Sequence, residues 1–134
     1  EAYNKGEISV TLVPQGTLAE SMRAAGMGIP AYYTPTSAGT DLEKGKEVRE
    51  FNGRKYVLEE AIHTDVALIR AKKADTLGNL VYSKTARNFN PVMAMAATYT
   101  IAEVDEIVEP GELDPEEIVT PHIYVNAIVK RSAK

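Results

Sequence analysis

Between Gly78 and Pro91 the chain reads Gly-Asn-Leu-Val-Tyr-Ser-Lys-Thr-Ala-Arg-Asn-Phe-Asn-Pro, and this stretch holds the densest set of ligand-capable groups. Gly78-Asn79 is a turn signal, and Leu80-Val81-Tyr82 is a short β-prone run that predicts a strand. Asn90 before Pro91 predicts an N-cap with proline at the first helical position, opening a helix over Val92–Ala97. The polar loop between them, Ser83–Phe89, carries two cations, Lys84 and Arg87, among hydroxyls and amides. Loops from strand ends to helix starts are where open α/β sheets hold anionic ligands. The same residues also answer to a plainer reading, in which Arg87 and Asn88 only tie down a connection.

Two further loops offer chemistry. Thr17-Leu-Ala-Glu20 has the form of a capping box, which puts Gln15 and Gly16 in a tight turn from a strand into a helix. A side-chain amide and free backbone N–H groups there suit a carboxylate, whereas a turn glutamine facing water is the structural alternative. Ala31–Thr40 is rich in Thr, Tyr, Pro and Gly and reads as a long loop whose hydroxyls could contact a ligand. It could equally be a crossover with its tyrosines on the core.

Other constellations fail on spacing. His63 and His122 are far apart, with no cysteine nearby to complete a metal set. Ser83-Lys84-Thr85 lacks the glycines of a phosphate-binding loop. Gly26-Met-Gly28-Ile-Pro-Ala31 spells a dinucleotide fingerprint but follows a helix, and Pro30 would interrupt the helix it must open. Glu103 and Asp105 share one face at strand spacing, and with nothing apolar around them they read as a solvated face. The residues thus give three ligand-capable loops and no self-contained catalytic set.

The elements expected to position these loops follow from periodicity. Ile8–Val13 alternates and predicts a strand stopped by Pro14. The helix opened at Thr17 turns Leu18 and Met22 inward and ends at Gly26. Asn52-Gly53 predicts a type I′ hairpin between Val48–Phe51 and Lys55–Leu58. Val66–Ile69 is an unbroken apolar run, which predicts a strand of a parallel or mixed sheet buried on both faces. Tyr99–Val104 and Ile123–Val129 read as further strands, Asp114–Glu117 as one capped helical turn, and Lys130–Lys134 as a polar tail. The fold class is therefore α/β, a mixed and largely parallel sheet with packed helices, in one domain spanning 1–134.

The totals agree. With 134 residues, 44% hydrophobic and 25% charged, the chain matches an ordinary soluble domain, and its net charge of −4 argues against a nucleic-acid partner. It has no cysteine, hence no disulfide or thiolate nucleophile. No apolar run reaches the roughly 20 residues of a membrane span. Glu1–Gly6 carries no signal-peptide pattern, and the chain reads as though it begins inside a domain.

Taken in order, Val13-Pro-Gln-Gly-Thr-Leu-Ala-Glu20, Ile29-Pro-Ala-Tyr-Tyr-Thr-Pro-Thr36, Lys46-Glu-Val-Arg-Glu-Phe51, Ala74-Asp-Thr-Leu-Gly-Asn-Leu-Val81, Thr85-Ala-Arg-Asn-Phe-Asn-Pro91 and Glu109-Pro-Gly-Glu-Leu-Asp-Pro115 resemble family I CoA-transferases. The similarity is to the A-type subunit of the succinyl-CoA:acetoacetate (3-oxoacid) enzymes and runs from about Tyr3 to Val129. It implies transfer of coenzyme A between carboxylic acids through a glutamyl–CoA thioester, with the nucleophilic glutamate on a B-type partner and no catalytic residue here. It also implies a hetero-oligomer in the cytoplasm, an acyl-CoA thioester as substrate, no bound cofactor and no metal. By resemblance Gln15, with Gly16, contacts the substrate carboxylate, while Thr36, Gly39, Arg87, Asn88 and Asn90 form the substrate-binding or partner-contacting loops.

Departures from the family pattern are few. Ser37-Ala-Gly-Thr40 stands where a second glycine is usual, Ala25 replaces a glycine, and Lys72 replaces an aromatic. The family's glycine-rich signature and Ser-Asn-Asn segment are not in this sequence, so this chain by itself is expected to be inactive. The rival readings are a non-catalytic acyl- or sugar-phosphate-binding α/β domain and an assembly module.

Overall fold

The computed structural model describes residues 1–132. In chain order it contains helix α1 (Gln15–Gly26), strands β1 (Ala31–Thr34), β2 (Val48–Phe51), β3 (Arg54–Glu60), β4 (Thr64–Asp75) and β5 (Leu80–Val81), helix α2 (Asn90–Ala96), and strands β6 (Ala97–Val108) and β7 (Ala127–Lys130). The strands form two sheets, an antiparallel one ordered β1-β3-β2 and a mixed one ordered β5-β4-β6-β7. β4, β6 and β7 run parallel, and only the two-residue β5 is antiparallel. The fold is mixed α/β with a mostly parallel main sheet, as the periodicity predicts.

The main sheet is built on the β4–α2–β6 unit. One face of β4 carries Ala67, Ile69 and Ala71, and β6 answers with Thr100, Ala102 and Val104, all buried, while Ala74 is buried near the strand's end where it pairs with Leu80. Small residues there let α2 lie close, and Ala94, Leu80 and Tyr82 complete the cluster. Leu80 and Val104 are almost fully enclosed, and each contributes about 2 kcal/mol of apolar transfer. The opposite face of β4 carries Val66 and Leu68 in the open. The expectation of burial on both faces therefore fails within the described residues: an unbroken apolar run does not itself supply a second covering layer.

β4 turns into β5 through Asp75. Its carboxylate accepts hydrogen bonds from the N–H of Gly78 (3.0 Å) and of Asn79 (2.9 Å), and from the Asn79 side-chain amide (2.7 Å). Burial opposes the charged form, but the Asn79 side chain and the backbone N–H groups of Asn79, Gly78 and Leu77 outweigh it. The carboxyl is held below its ordinary value. Asn79 also accepts from the His122 N–H at 2.9 Å, and Leu80 exchanges backbone bonds with Val119 and Thr120. These contacts draw 119–125 across the core, and His122–Tyr124 becomes a short 3₁₀ turn after Pro121. Strand β7 consequently starts at Ala127 instead of Ile123.

In the smaller sheet, Asn52 (φ 52°) and Gly53 (φ 75°) both take left-handed backbone, which is the predicted type I′ turn. Its Val57 is fully buried. The chain from Ala31 to Thr40 opens as a strand, since Ala31–Thr34 pairs with Val57–Glu60. The segment predicted as a strand at Ile8–Val13 forms no strand and is exposed. Alternation alone cannot make a strand when no described neighbour offers hydrogen bonds. Asp114 caps its single 3₁₀ turn, accepting from the Glu116 N–H at 2.9 Å.

Helices α1 and α2 meet at Gly26. A Cβ there would lie 2.8 Å from the Met95 carbonyl oxygen and would overlap the Met95 side chain. Gly26→Ala gains about 1 kcal/mol of helix propensity, yet the clash is with backbone. We expect a net loss of about 1 kcal/mol in denaturant unfolding, and a stabilised variant would refute the close approach. Asp75→Asn tests the turn. The folded pKa of Asp75 lies below its unfolded value, so its contribution is present above about pH 4 and fades as pH falls through the folded value. The variant should be less stable by about 1.5 kcal/mol at pH 7. That gap should close toward pH 2; a gap independent of pH would sink the assignment.

Candidate functional site

Gln15 and Gly16 are the first two residues of α1, not a turn before it. Pro14 has extended backbone (φ −58°, ψ 141°) and its carbonyl takes the Leu18 N–H at 2.9 Å, so the helix begins one turn earlier than the capping box implies. No side chain caps this end. Thr17, the expected cap, is buried and its Oγ1 has no partner, while Glu20 reaches forward to the Arg23 guanidinium (2.8 Å). The leading N–H groups of a 12-residue helix are therefore presented uncapped beside the exposed Gln15 amide. That end carries roughly half a positive charge, a favourable place for an anion.

Tyr32 of β1 fixes this helix end. Its hydroxyl donates to the Thr17 carbonyl (2.9 Å) and lies 3.0 Å from the Ser21 hydroxyl. Burial pushes the phenol pKa up, against the hydrogen bond with Ser21. No local signal in the sequence singles out Tyr32, since its partners are a carbonyl and a hydroxyl more than ten residues away.

The loop after β1 holds Thr36 and Gly39, both exposed. The Thr36 N–H donates to Thr34 Oγ1 (3.2 Å), and the Gly39 N–H is taken by the Glu43 carboxylate at 2.5 Å. Ser37 has φ 74°, a left-handed conformation that favours glycine, and its buried Oγ has no partner. Ser37 opens the segment Ser37–Thr40, in which the resemblance leads one to expect a second glycine. Gly39 lines an open depression of about 710 Å³ with Thr40, Asp41, Lys44 and Lys46.

The third loop forms a 3₁₀ turn over Lys84–Arg87, entered through Lys84 at φ 53°. Arg87 and Asn88 are exposed. Phe89 takes the N-cap position, so Asn90 is the first helical residue and not the cap. Its amide is taken up by the chain itself: Oδ1 accepts from the Arg70 N–H (3.0 Å) and Nδ2 donates to the Ala86 carbonyl (2.8 Å). Asn90 thereby staples the loop to the edge of β4. With only seven residues, α2 offers far less of a helix-end field than α1.

Glu103 and Asp105 meet guanidinium groups. Arg70 lies 2.8 Å from Asp105 and 3.8 Å from Glu103, and Arg131 is 3.8 Å from Asp105. All are half-exposed, so the network contributes at most about 1 kcal/mol per pair and leaves no free carboxylate pair. Among the described residues, no three His, Asp or Glu side chains converge as a metal set, and no helix is long and apolar enough to cross a membrane.

Two of the three loops share a foundation. Leu18, just inside α1, and Phe89, at the start of α2, both pack on the cluster of Met22, Ala25 and Ala96. Gln15-Gly16 and Arg87-Asn88 thus lead into the two members of one packed helix pair. Thr36 and Gly39 belong to the smaller sheet, and the depression beside Gly39 includes neither Gln15 nor Arg87. The described residues present an uncapped helix end, a cationic loop and a hydroxyl-rich loop, but no nucleophile with a base beside it.

Similarity to known proteins is extensive. The family model described as coenzyme A transferase matches residues 1–131. The A-type subunit of the succinyl-CoA:3-ketoacid coenzyme A transferase of Helicobacter pylori (strain J99) is 66% identical over 125 residues, covering 93% of this chain and 54% of that protein. The A-type subunit of the 3-oxoadipate CoA-transferase of Pseudomonas putida is 57% identical (96% and 56% covered). The alpha subunit of the acetate CoA-transferase of Escherichia coli K12 is 50% identical (92% and 56% covered). The chain thus spans about half the length of the curated relatives it matches. In fold it resembles the acyl-CoA transferase YdiF of E. coli O157:H7, solved as a thioester complex with CoA, with TM-score 0.84, 22% identity, and 97% of this chain and 31% of that one covered. It also resembles glutaconate coenzyme A-transferase of Acidaminococcus fermentans, with TM-score 0.80, 22% identity, and 96% and 48% covered. The chain belongs to the coenzyme A transferase family.

Proposed function

We propose that this chain is part of the A-type subunit of an enzyme that moves coenzyme A between succinyl-CoA and acetoacetate, working with a B-type partner that carries the nucleophilic glutamate. The observation that carries this reading is the uncapped start of α1, where the Gln15 amide and the leading N–H groups form a neutral donor set facing solvent. Such a set holds a carboxylate or an oxyanion without competing as a nucleophile.

The chemistry balances without a cofactor. The partner's glutamate carboxylate attacks the acyl-CoA carbonyl and the coenzyme A thiolate leaves, giving a mixed anhydride. The thiolate then attacks the glutamyl carbonyl of that anhydride, releasing the first acid as its carboxylate and leaving a glutamyl–CoA thioester. The acceptor acid runs the two steps in reverse. Both tetrahedral intermediates place negative charge on oxygen, and the α1 end with Gln15 and Gly16 is suited to stabilise it. Arg87 and Asn88 offer charge and hydrogen bonds to an anionic substrate or to the partner, with Asn90 holding their loop in place. Thr36 and Gly39 form a further contacting loop. Succinyl-CoA and the 3-ketoacid class of the acceptor follow the name of the Helicobacter relative, and acetoacetate is the member of that class put forward here. Other relatives are named for 3-oxoadipate and acetate, which makes those acids the competitors to test.

The test is a complex reconstituted from a full-length A-type subunit that contains these residues and its B-type partner, assayed with succinyl-CoA against acetoacetate, 3-oxoadipate and acetate. Acetoacetate should give the highest kcat/KM; a preference for another acid would replace the proposed pair, and no transfer to any of them would reject the activity. Gln15→Ala should lower kcat by about a hundredfold with an unchanged melting temperature, and unaltered turnover would remove Gln15 from the site. Arg87→Ala should raise KM for the acyl-CoA or weaken association with the partner; a variant normal in both has a loop that only connects.

A further inference from the structure

The first turn of α1 holds its donors open. Pro14 takes the Leu18 N–H, which leaves the N–H groups of Gln15, Gly16 and Thr17 without a helix partner. A Cβ placed on Gly16 would meet nothing within 4 Å, so this end opens on free space. Thr17 is only 3% exposed and its hydroxyl has no partner, so a further donor of the same turn is buried and unused.

Farther along, the helix is held by other contacts. The Ser21 carbonyl accepts from the Ile62 N–H (3.0 Å), and Gly26 lies against Met95. Among the described residues, the hydrogen bond that ties the first turn to another element runs from the Tyr32 hydroxyl to the Thr17 carbonyl (2.9 Å). A carbonyl only accepts, so the phenolic proton goes to Thr17, and the Ser21 hydroxyl, 3.0 Å from the same oxygen, donates to Tyr32. Burial raises the pKa of the phenol, which keeps that proton in place through neutral pH. Tyr32 is itself set in a paired strand, opposite Glu59, whose carboxylate lies 2.6 Å from the Lys46 ammonium. A sheet residue thus steadies a helix end that would otherwise fray, since its leading N–H groups bind nothing within the helix.

We propose that Tyr32 is a positioning residue for coenzyme A transfer: through the Thr17 carbonyl it holds the first turn of α1 so that the Gln15 amide and the leading N–H groups meet the oxyanion of the tetrahedral intermediate. The inference rests on the reading of this helix end as the oxyanion and carboxylate site. Tyr32 touches no reacting atom. Its effect comes through donors set in place before the reaction, which then need no reorganisation as charge develops. Loss of the hydroxyl therefore acts on kcat more than on KM.

The test uses a full-length A-type subunit containing these residues, in complex with its B-type partner, assayed from succinyl-CoA to the acceptor it uses best. Tyr32→Phe removes the hydroxyl and keeps the ring; it should lower kcat about tenfold, with KM within about twofold. Ser21→Ala deletes the other hydrogen bond of the same hydroxyl and spares the one to Thr17. It should match Tyr32→Phe in melting temperature yet keep kcat within about twofold. In the Gln15→Ala background, where the main donor is already gone, Tyr32→Phe should cost less than about threefold. The same loss in both backgrounds, or an equal loss in Ser21→Ala, would trace the effect to the packing of β1 on α1 and overturn the proposal. So would an unchanged kcat in Tyr32→Phe; if Gln15→Ala is impaired in the same assay, the site stands and only the role of Tyr32 fails. Full turnover in Gln15→Ala removes the site, and the proposal with it.

Discussion

The parallel pairing of β4 with β6 is the interaction from which the remaining geometry follows. It runs from Thr64 opposite Ala97 to Asp75 opposite Val108, and the connection between the two strands must return the chain over one face of the sheet. That return path is the Ser83–Phe89 loop followed by α2. Because α2 lies on alanines, it comes close enough for Asn90 to reach the β4 backbone and for Met95 to touch Gly26 of α1. The position of the Arg87 loop and the position of the α1 start are therefore consequences of one strand pair.

Close packing and electrostatics divide the work. The buried faces of β4 and β6 hold the fold, whereas the half-exposed ion pairs around Arg70 contribute little. The chemistry offered to a ligand comes instead from backbone: the N–H groups of an uncapped helix end, oriented by a tyrosine that bonds the Thr17 carbonyl. Thr17 Oγ1 and Ser37 Oγ, buried without partners, lie in two of the three segments with ligand-capable groups. Left-handed backbone at Ser37 and Lys84 falls in the same kind of loop, and such strain concentrates where a structure serves a purpose other than its own stability.

Local grammar was legible wherever a few neighbouring residues decide the outcome. Asn52-Gly53 dictated its hairpin, Asp114 capped its turn, and Gly78-Asn79 marked the turn into β5. Misreadings arose where a local signal was overruled from a distance. Thr17 has the sequence of a capping box, but β1 packs against it and Tyr32 claims its carbonyl, so the helix begins at Gln15. Asn90 looks like a cap until the β4 edge presents the Arg70 N–H.

Turn chemistry, periodicity and residue order are all written along the chain. They were enough to settle the mixed and mostly parallel sheet and, through the ordered motifs, the family, but not every element: Ile8–Val13 formed no strand and Ala31–Thr34 did. Which of the ligand-capable groups are free was settled in three dimensions. Folding consumed the Asn90 amide and the Glu103 and Asp105 carboxylates in internal contacts, and it left the Gln15 end of α1 uncapped. It also turned Val66 and Leu68 outward beside an unpaired edge. Hydrogen-bond satisfaction and burial depend on whatever arrives from elsewhere in space, and no stretch of sequence contains its own neighbours.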